Sequence, residues 1–254
     1  MQLIETHAHI YSEKFKDDLD EMIERSKEEG IAKIYMPNID STSIDAMLEL
    51  EYRYPEYCIP MMGLHPCSVD KNFEKELYIV EDWLNKREFV AVGEMGTDLY
   101  WDKTYFEQQK EAFIIQSKWA IDRNKPIIIH CRESIDKTID LVSELKTDNF
   151  KGIFHCFSGT IDQAEKIIEL GFLLGIGGVA TFKNGGLEPV LESIPLEHLV
   201  LETDSPYLAP VPHRGKRNEP AFITLVAEKI ASLKNLTKNE VAKVTAENAN
   251  RIFN

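Results

Sequence analysis

Eight short apolar, β-branched runs alternate with eight longer segments of helical period, and this alternation limits the chain to very few folds. The runs lie near 2–8, 31–36, 57–63, 89–94, 126–130, 151–155, 172–176 and 198–203. Amphipathic segments follow them near 14–29, 41–53, 72–86, 105–123, 133–146, 161–170, 185–193 and 219–234. Such repeated units build a parallel sheet covered by helices, because parallel neighbours need a crossover connection. Eight of them within 254 residues favour one closed (β/α)8 TIM barrel spanning 1–254 over an open doubly wound sheet. The absence of GxGxxG after the first run also argues against a Rossmann unit. Thr160 with Gln163, and Thr237 with Glu240, fit the capping box; the second opens an extra C-terminal helix.

Placed on these runs, the titratable residues collect at strand C-terminal ends, the rim where barrels carry their active sites. His7 and His9 end the first run, His65 the third, Glu94 the fourth, His130 the fifth and His155 the sixth; Glu202 and Asp204 close the eighth. FVAVGEMG and PIIIHCRES each lead four or five apolar or small residues into one metal-competent side chain, and KGIFHCFSG and HLVLETDSP repeat the device. A single histidine of this kind is usually a hydrogen-bonded core or loop residue. Five of the seven histidines on one rim, beside carboxylates, call for a different explanation.

Imidazole nitrogens and carboxylate oxygens suit divalent ions such as Zn²⁺ or Mn²⁺, and mixed sites also take Mg²⁺. The donors outnumber what one tetrahedral ion accepts, so two divalent ions are expected. His7, His9 and Asp204 would hold the first, Glu94 would bridge, and His130 with His155 would hold the second. Ions roughly 3.5 to 4 Å apart can share and activate a water for an in-line displacement. Strand alternation puts Glu5 on the face of His7 and His9, and Glu202 on that of Asp204, as supports for the ligands. The same alternation turns Cys131 and Cys156 away.

A formal charge of −14 excludes avid nucleic-acid binding through a broad basic face, but not a local phosphate site. The densest basic cluster is His213–Arg217. The four cysteines form no CxxC pair and are expected reduced, no secretory leader or apolar membrane span is seen, and the protein is expected in the cytoplasm with no obligate protein partner.

HAH at 7–9, GLHP at 63–66, VGEMGTD at 92–98, IIIHCRES at 127–134, HCFSG at 155–159, LETDSPYLAP at 201–210 and RNEP at 217–220, ending in ENANRIF, resemble the TatD family of metal-dependent deoxyribonucleases over essentially the whole chain. The resemblance implies a TIM-barrel hydrolase of the amidohydrolase-like superfamily that cleaves DNA phosphodiester bonds, with DNA bound transiently as substrate. Glu5 and Tyr11 depart from the family pattern, in which Asp is commoner at the first position and Asp or Asn often stands at the second.

On this basis Asp204 is the leading general base as well as a ligand, and His65 is expected to orient a phosphate or the nucleophile. Arg132 over the barrel mouth, and Lys183, Arg214 and Arg217 in the loops after strands seven and eight, are expected phosphate contacts. Asp98 matches the family's GExGxD pattern and is expected to position substrate; capping the next segment is its alternative. Tyr100, Trp101 and Phe182 could stack on a base or pack under a loop. Competing functions are hydrolysis of another ester or an amide on the same barrel, including tRNA deacylation, and a non-catalytic metal- or nucleic-acid-binding scaffold. Related amidohydrolases often bridge their ions with a carboxylated lysine where this chain has Glu94, which together with the local basic loops favours phosphodiesters; every expected ligand position is filled, which argues against a scaffold.

Overall fold

The computed structural model describes residues 2–254; Met1 lies outside them. Eight parallel strands alternate with helices in chain order: β1 (Leu3–Glu5), α1 (Leu19–Glu28), β2 (Ile31–Pro37), α2 (Ile44–Arg53), β3 (Cys58–Met61), α3 (Phe73–Lys86), β4 (Val92–Asp98), α4 (Phe106–Asp122), β5 (Ile127–Arg132), α5 (Ile135–Glu144), β6 (Gly152–Phe154), α6 (Ile161–Glu169), β7 (Leu173–Ile176), α7 (Glu188–Ser193), β8 (Leu199–Leu201), α8 (Ile223–Lys234) and α9 (Lys238–Phe253). The strands form two arcs, β1-β2-β3 and β4 through β8. Bridges Met62–Val92 and Ala8–Ser205 join the arcs on both sides and close the barrel.

The barrel interior explains why both termini of the chain matter. Ile4, Tyr35, Met61, Ile128, Ile153, Leu173 and Val200, with Ala91 just before β4, form one apolar cluster fed by every strand segment. Ala246, Ala249, Ile252 and Phe253 of α9 close this cluster, and the Phe253 ring stacks on Tyr35 at 3.8 Å. The larger core lies outside the strands, under α1 to α8. Both capping boxes form, Thr160 with Gln163 on α6 and Thr237 with Glu240 on α9.

All eight strand–helix units and the C-terminal helix fall where the sequence pattern predicts. The differences lie at strand ends. β1, β6 and β8 stop after three residues, so His7, His9, His155, Glu202 and Asp204 sit in the turns beyond them. β4 instead runs on to Asp98, which places Glu94 inside the strand. The segment 14–29 divides into a 3-10 turn, Glu13–Phe15, and α1. The segment 185–193 keeps only its last six residues as α7, with Gly186 at φ +73° left outside the helix.

Candidate metal centre

Side chains from the C-terminal ends of several parallel strands converge on Glu94, which is 1% exposed. β4 delivers it between β5 on one side and the β3 turn on the other. Gly96, at φ +148°, allows this: a Cβ there would lie 1.9 Å from the His130 carbonyl oxygen. Glu94 Oε2 faces His7 Nε2 at 3.1 Å and His9 Nε2 at 3.4 Å. Asp204 Oδ1 lies 3.8 and 3.6 Å from the same two nitrogens. Glu94 Oε1 faces His130 Nδ1 at 3.1 Å, His155 Nε2 at 3.2 Å and His65 Nε2 at 3.3 Å. One carboxylate thus presents each oxygen to a separate group of imidazoles.

The protons decide which nitrogens can bind an ion. His130 Nε2 lies 2.9 Å from Asp98 Oδ2, and His155 Nδ1 lies 3.1 Å from Glu202 Oε1. Asp98 and Glu202 can each hold an N–H on the outer side of the ring, so His130 Nδ1 and His155 Nε2 are the nitrogens that can be freed for an ion beside Glu94. His65 is the reverse case. Its Nδ1 accepts from the Cys67 amide at 3.0 Å, so Nε2 carries the proton and donates toward Glu94 Oε1. Distance alone groups His65 with Glu94 and His130 as ion donors; the tautomer makes it a hydrogen-bond donor at the edge of the centre.

This donor set fits a divalent ion. His7 Nε2 and His9 Nε2 point at each other across 3.3 Å. Glu94 Oε2 is buried and receives no hydrogen bond. Lone pairs gathered without enough protons are what a divalent cation satisfies. The titration of the cluster reflects the same crowding. Burial opposes a charged Glu94, but His65, His7 and His155 outweigh it and hold the carboxyl well below its usual range. Burial also opposes a charged His155, yet Glu94 and Glu202 push its pKa well up. Burial raises Asp204 to about 6 against the pull of His155 and His9.

Asp204 itself departs from strand alternation, with φ +55° in the left-handed region. Glu202 reaches past it to receive the Cys156 amide at 2.6 Å as well as the His155 ring. Gly175 makes room for that carboxylate, since a Cβ there would meet Glu202 Oε2 at 2.2 Å. A glycine inside the apolar run LLGIGG is a sequence signal for such a close approach, and sequence reasoning missed it.

A cavity of about 910 Å³ opens above the centre. Arg132, Arg214 and Lys216 line it with Trp101, Phe182 and Tyr207. The Arg132 guanidinium lies over the Tyr100 ring at 3.6 Å and 5.4 Å from Trp101; Arg214 lies over Phe182 at 3.9 Å. Tyr100 and Trp101 are exposed rather than packed under a loop, at 46% and 69%.

Five expectations change. Asp98 lines the cavity, but its oxygens are already engaged, Oδ1 by the amides of Tyr100 and Trp101 and Oδ2 by His130, so in this structure it orients an imidazole and caps a turn. Arg217 is held by Asp18 and Glu219 and donates to the Lys14 carbonyl, which takes it out of the mouth. Lys183 is exposed and does not line the cavity. Glu5 receives the His7 and Thr203 amides at 3.0 and 2.9 Å, so it ties the ends of β1 and β8 together and touches neither imidazole. Cys131 and Cys156 do line the cavity; Cys156 sits beyond β6 at φ +49°, where alternation no longer applies, whereas Cys131 lies near the end of β5. Burial pushes the Cys131 thiol up to about 12, which keeps it a poor ligand.

A closed parallel barrel with imidazoles and carboxylates gathered at the C-terminal ends of its strands is the architecture of the amidohydrolase-like metal-dependent hydrolases. Comparison with known proteins places the chain within that class. The model of the TatD related DNase family matches residues 4–254. The uncharacterized metal-dependent hydrolase YabD of Bacillus subtilis is 38% identical over 252 residues, covering 99% of this chain and 98% of that protein. A protein of Edwardsiella piscicida named 3'-5' ssDNA/RNA exonuclease TatD is 30% identical over 257 residues, covering 99% of each. The crystal structure of the TatD homologue YjjV from Escherichia coli K12 superposes with a TM-score of 0.93 at 29% identity, covering 99% of this chain and 97% of that one. The chain belongs to the TatD family of metal-dependent hydrolases.

Proposed function

We propose that this protein is a deoxyribonuclease that removes nucleotides from a DNA strand end with two divalent ions, Mg²⁺, Mn²⁺ or Zn²⁺. The observation that carries this reading is the division of Glu94: Oε2 toward His7 and His9, Oε1 toward His130 and His155. His7, His9 and Asp204 would hold one ion, His130 and His155 the other, and Glu94 would bridge. When bound, such a pair supplies Lewis acidity and lowers the pKa of a water. The chain's own groups do the rest. Asp204, at the cavity floor, takes the proton released when the nucleophile forms. His65 Nε2–H, which faces Glu94 Oε1 in the free protein, would turn to a phosphate oxygen held beside it.

Substrate recognition falls to the cavity wall. Arg132 and Arg214 each stack on an aromatic ring while keeping N–H groups free for phosphate oxygens. Trp101 and Phe182 offer faces for unstacked bases, which suits a single strand better than a duplex. The net charge of −14 limits binding to this local patch. Exonucleolytic, 3'-to-5' action follows the name of the Edwardsiella relative. All four cysteines are free, in keeping with a reducing cytoplasm. No helix among the described residues is long and apolar enough to cross a membrane.

The test is cleavage of end-labelled single-stranded and duplex DNA by metal-stripped protein resupplied with Mg²⁺, Mn²⁺ or Zn²⁺ in turn. Ion-dependent shortening from one end, lost in His130→Ala, is the expected result. Absence of cleavage while ions are bound would move the substrate to another ester or an amide.

A further inference from the structure

Three of the four ion-facing histidines have a partner for the nitrogen turned away from Glu94, and the partners differ in kind. His130 has Asp98 and His155 has Glu202, both carboxylates. His9 has a phenol: its Nδ1 lies 2.8 Å from the Tyr11 hydroxyl. His7 Nδ1 is buried without a partner.

A hydroxyl can donate or accept, so by itself it does not fix a tautomer. Here its direction is set by a third group. The Tyr11 hydroxyl lies 2.6 Å from the Pro37 carbonyl oxygen at the end of β2. A carbonyl only accepts, and the phenol has a single proton, so that proton is committed to Pro37. The hydroxyl oxygen is then left as an acceptor, and His9 Nδ1 must be the donor. In the neutral ring His9 Nε2 is then the bare nitrogen, and it is aimed at Glu94 Oε2 and Asp204 Oδ1. The ring is also held edge-on to the phenol, at 5.7 Å and 84°.

We propose that Tyr11 is a positioning residue for the ion held by His7 and His9: its hydroxyl, locked by the Pro37 carbonyl, sets the His9 tautomer and ring angle. This rests on the metal-centre reading above. It goes beyond that reading by giving a role to a residue at which the chain departs from its family's usual Asp or Asn, and by predicting that removing one oxygen atom weakens one ion and spares the other. Phenylalanine at position 11 would keep the ring's packing and lose only the relay.

Two measurements on the full chain test it. In ion-free wild-type protein, the long-range ¹⁵N–¹H spectrum of labelled imidazoles at mildly alkaline pH should show His9 protonated on Nδ1; Tyr11→Phe should lose that preference. This readout needs no bound ion, so it separates failure of the relay from failure of the metal centre. In the second measurement, metal-stripped wild type and Tyr11→Phe, matched for thermal unfolding, are titrated with Mn²⁺. The variant should bind one ion about 10- to 100-fold more weakly, in line with the loss of an outer hydrogen-bond partner, and the other with unchanged affinity. Unchanged affinity for both ions, an equal loss at both, or a wild-type His9 protonated on Nε2 would each overturn the proposal.

Discussion

The two ends of this barrel are built from the same strands and obey opposite rules. At the N-terminal end, every strand segment contributes an apolar side chain and α9 closes the layer with Ala246, Ala249, Ile252 and Phe253. At the C-terminal end, His7, Glu94, Glu202 and Glu5 are as fully buried, at 0 to 1% exposure. The change takes only two residues: His130 follows Ile128 on the same face of β5, and His155 and Glu202, just past the ends of β6 and β8, follow Ile153 and Val200. Burying the apolar layer is favourable at roughly 25 cal/mol per Å². Burying the polar one costs free energy unless each group finds a partner or an ion. Stability and chemistry therefore occupy adjacent layers, and substitutions should separate them.

The sharpest separation is at Glu94. Glu94→Gln should lower the turnover of the ion-loaded protein by about 10³-fold or more, equivalent to about 4 kcal/mol, while thermal unfolding shifts little. Phe253→Ala should do the opposite. Loss of a buried aromatic that stacks on Tyr35 should cost about 3 kcal/mol and lower Tm by roughly 6 to 12 °C in calorimetry, with ion affinity unchanged at a temperature where the fold persists. If Phe253→Ala instead released the ions without unfolding the chain, the two layers would be coupled and the contrast would fail.

Asp98→Asn should fall between these. It keeps the turn amides a hydrogen-bond acceptor but weakens the hold on His130, so ion affinity measured by titration should drop about 10- to 100-fold. A drop in DNA affinity alone, with ion binding intact, would return Asp98 to the substrate.

The smallest effect lies at the side of the barrel, where Asp18 is bound by Arg217 and Arg25. Hydrogen bonds from Arg217, opposed by partial burial and joined by Arg25, hold the Asp18 carboxyl well below its usual value of 3.8. Because the folded pKa is depressed, this stabilisation is complete above that usual value and is lost as pH falls below it. Asp18→Asn should therefore cost about 1 kcal/mol at pH 7 by denaturant unfolding, and less at pH 3. Its DNA cleavage should match wild type, since Arg217 serves this pair and not the substrate.

The architecture was legible because each strand segment carries a short, mainly apolar run and each helix its own period. Ligand identities were legible for a related reason: a histidine or glutamate at the end of such a run has no place in an apolar core. What alternation could not supply was the behaviour of the chain past the last ladder hydrogen bond. There Asp204 and Cys156 adopt positive φ, so the prediction that Cys156 turns away had no strand to rest on. Partnering was equally hidden. Arg217 and Asp98 look like substrate contacts from sequence, yet their partners Asp18 and His130 come from distant parts of the chain. The role of Tyr11 depends on a carbonyl at Pro37, which carries no side-chain signature.

The most direct measurement is the metal content of the chain. Metal-stripped protein equilibrated with Mn²⁺ or Zn²⁺ and freed of excess should retain two ions per chain by mass spectrometry, and Glu94→Gln should retain at most one. A wild-type protein that holds no ion, or a Glu94→Gln variant that holds the full complement, would contradict a centre organised around the two oxygens of Glu94.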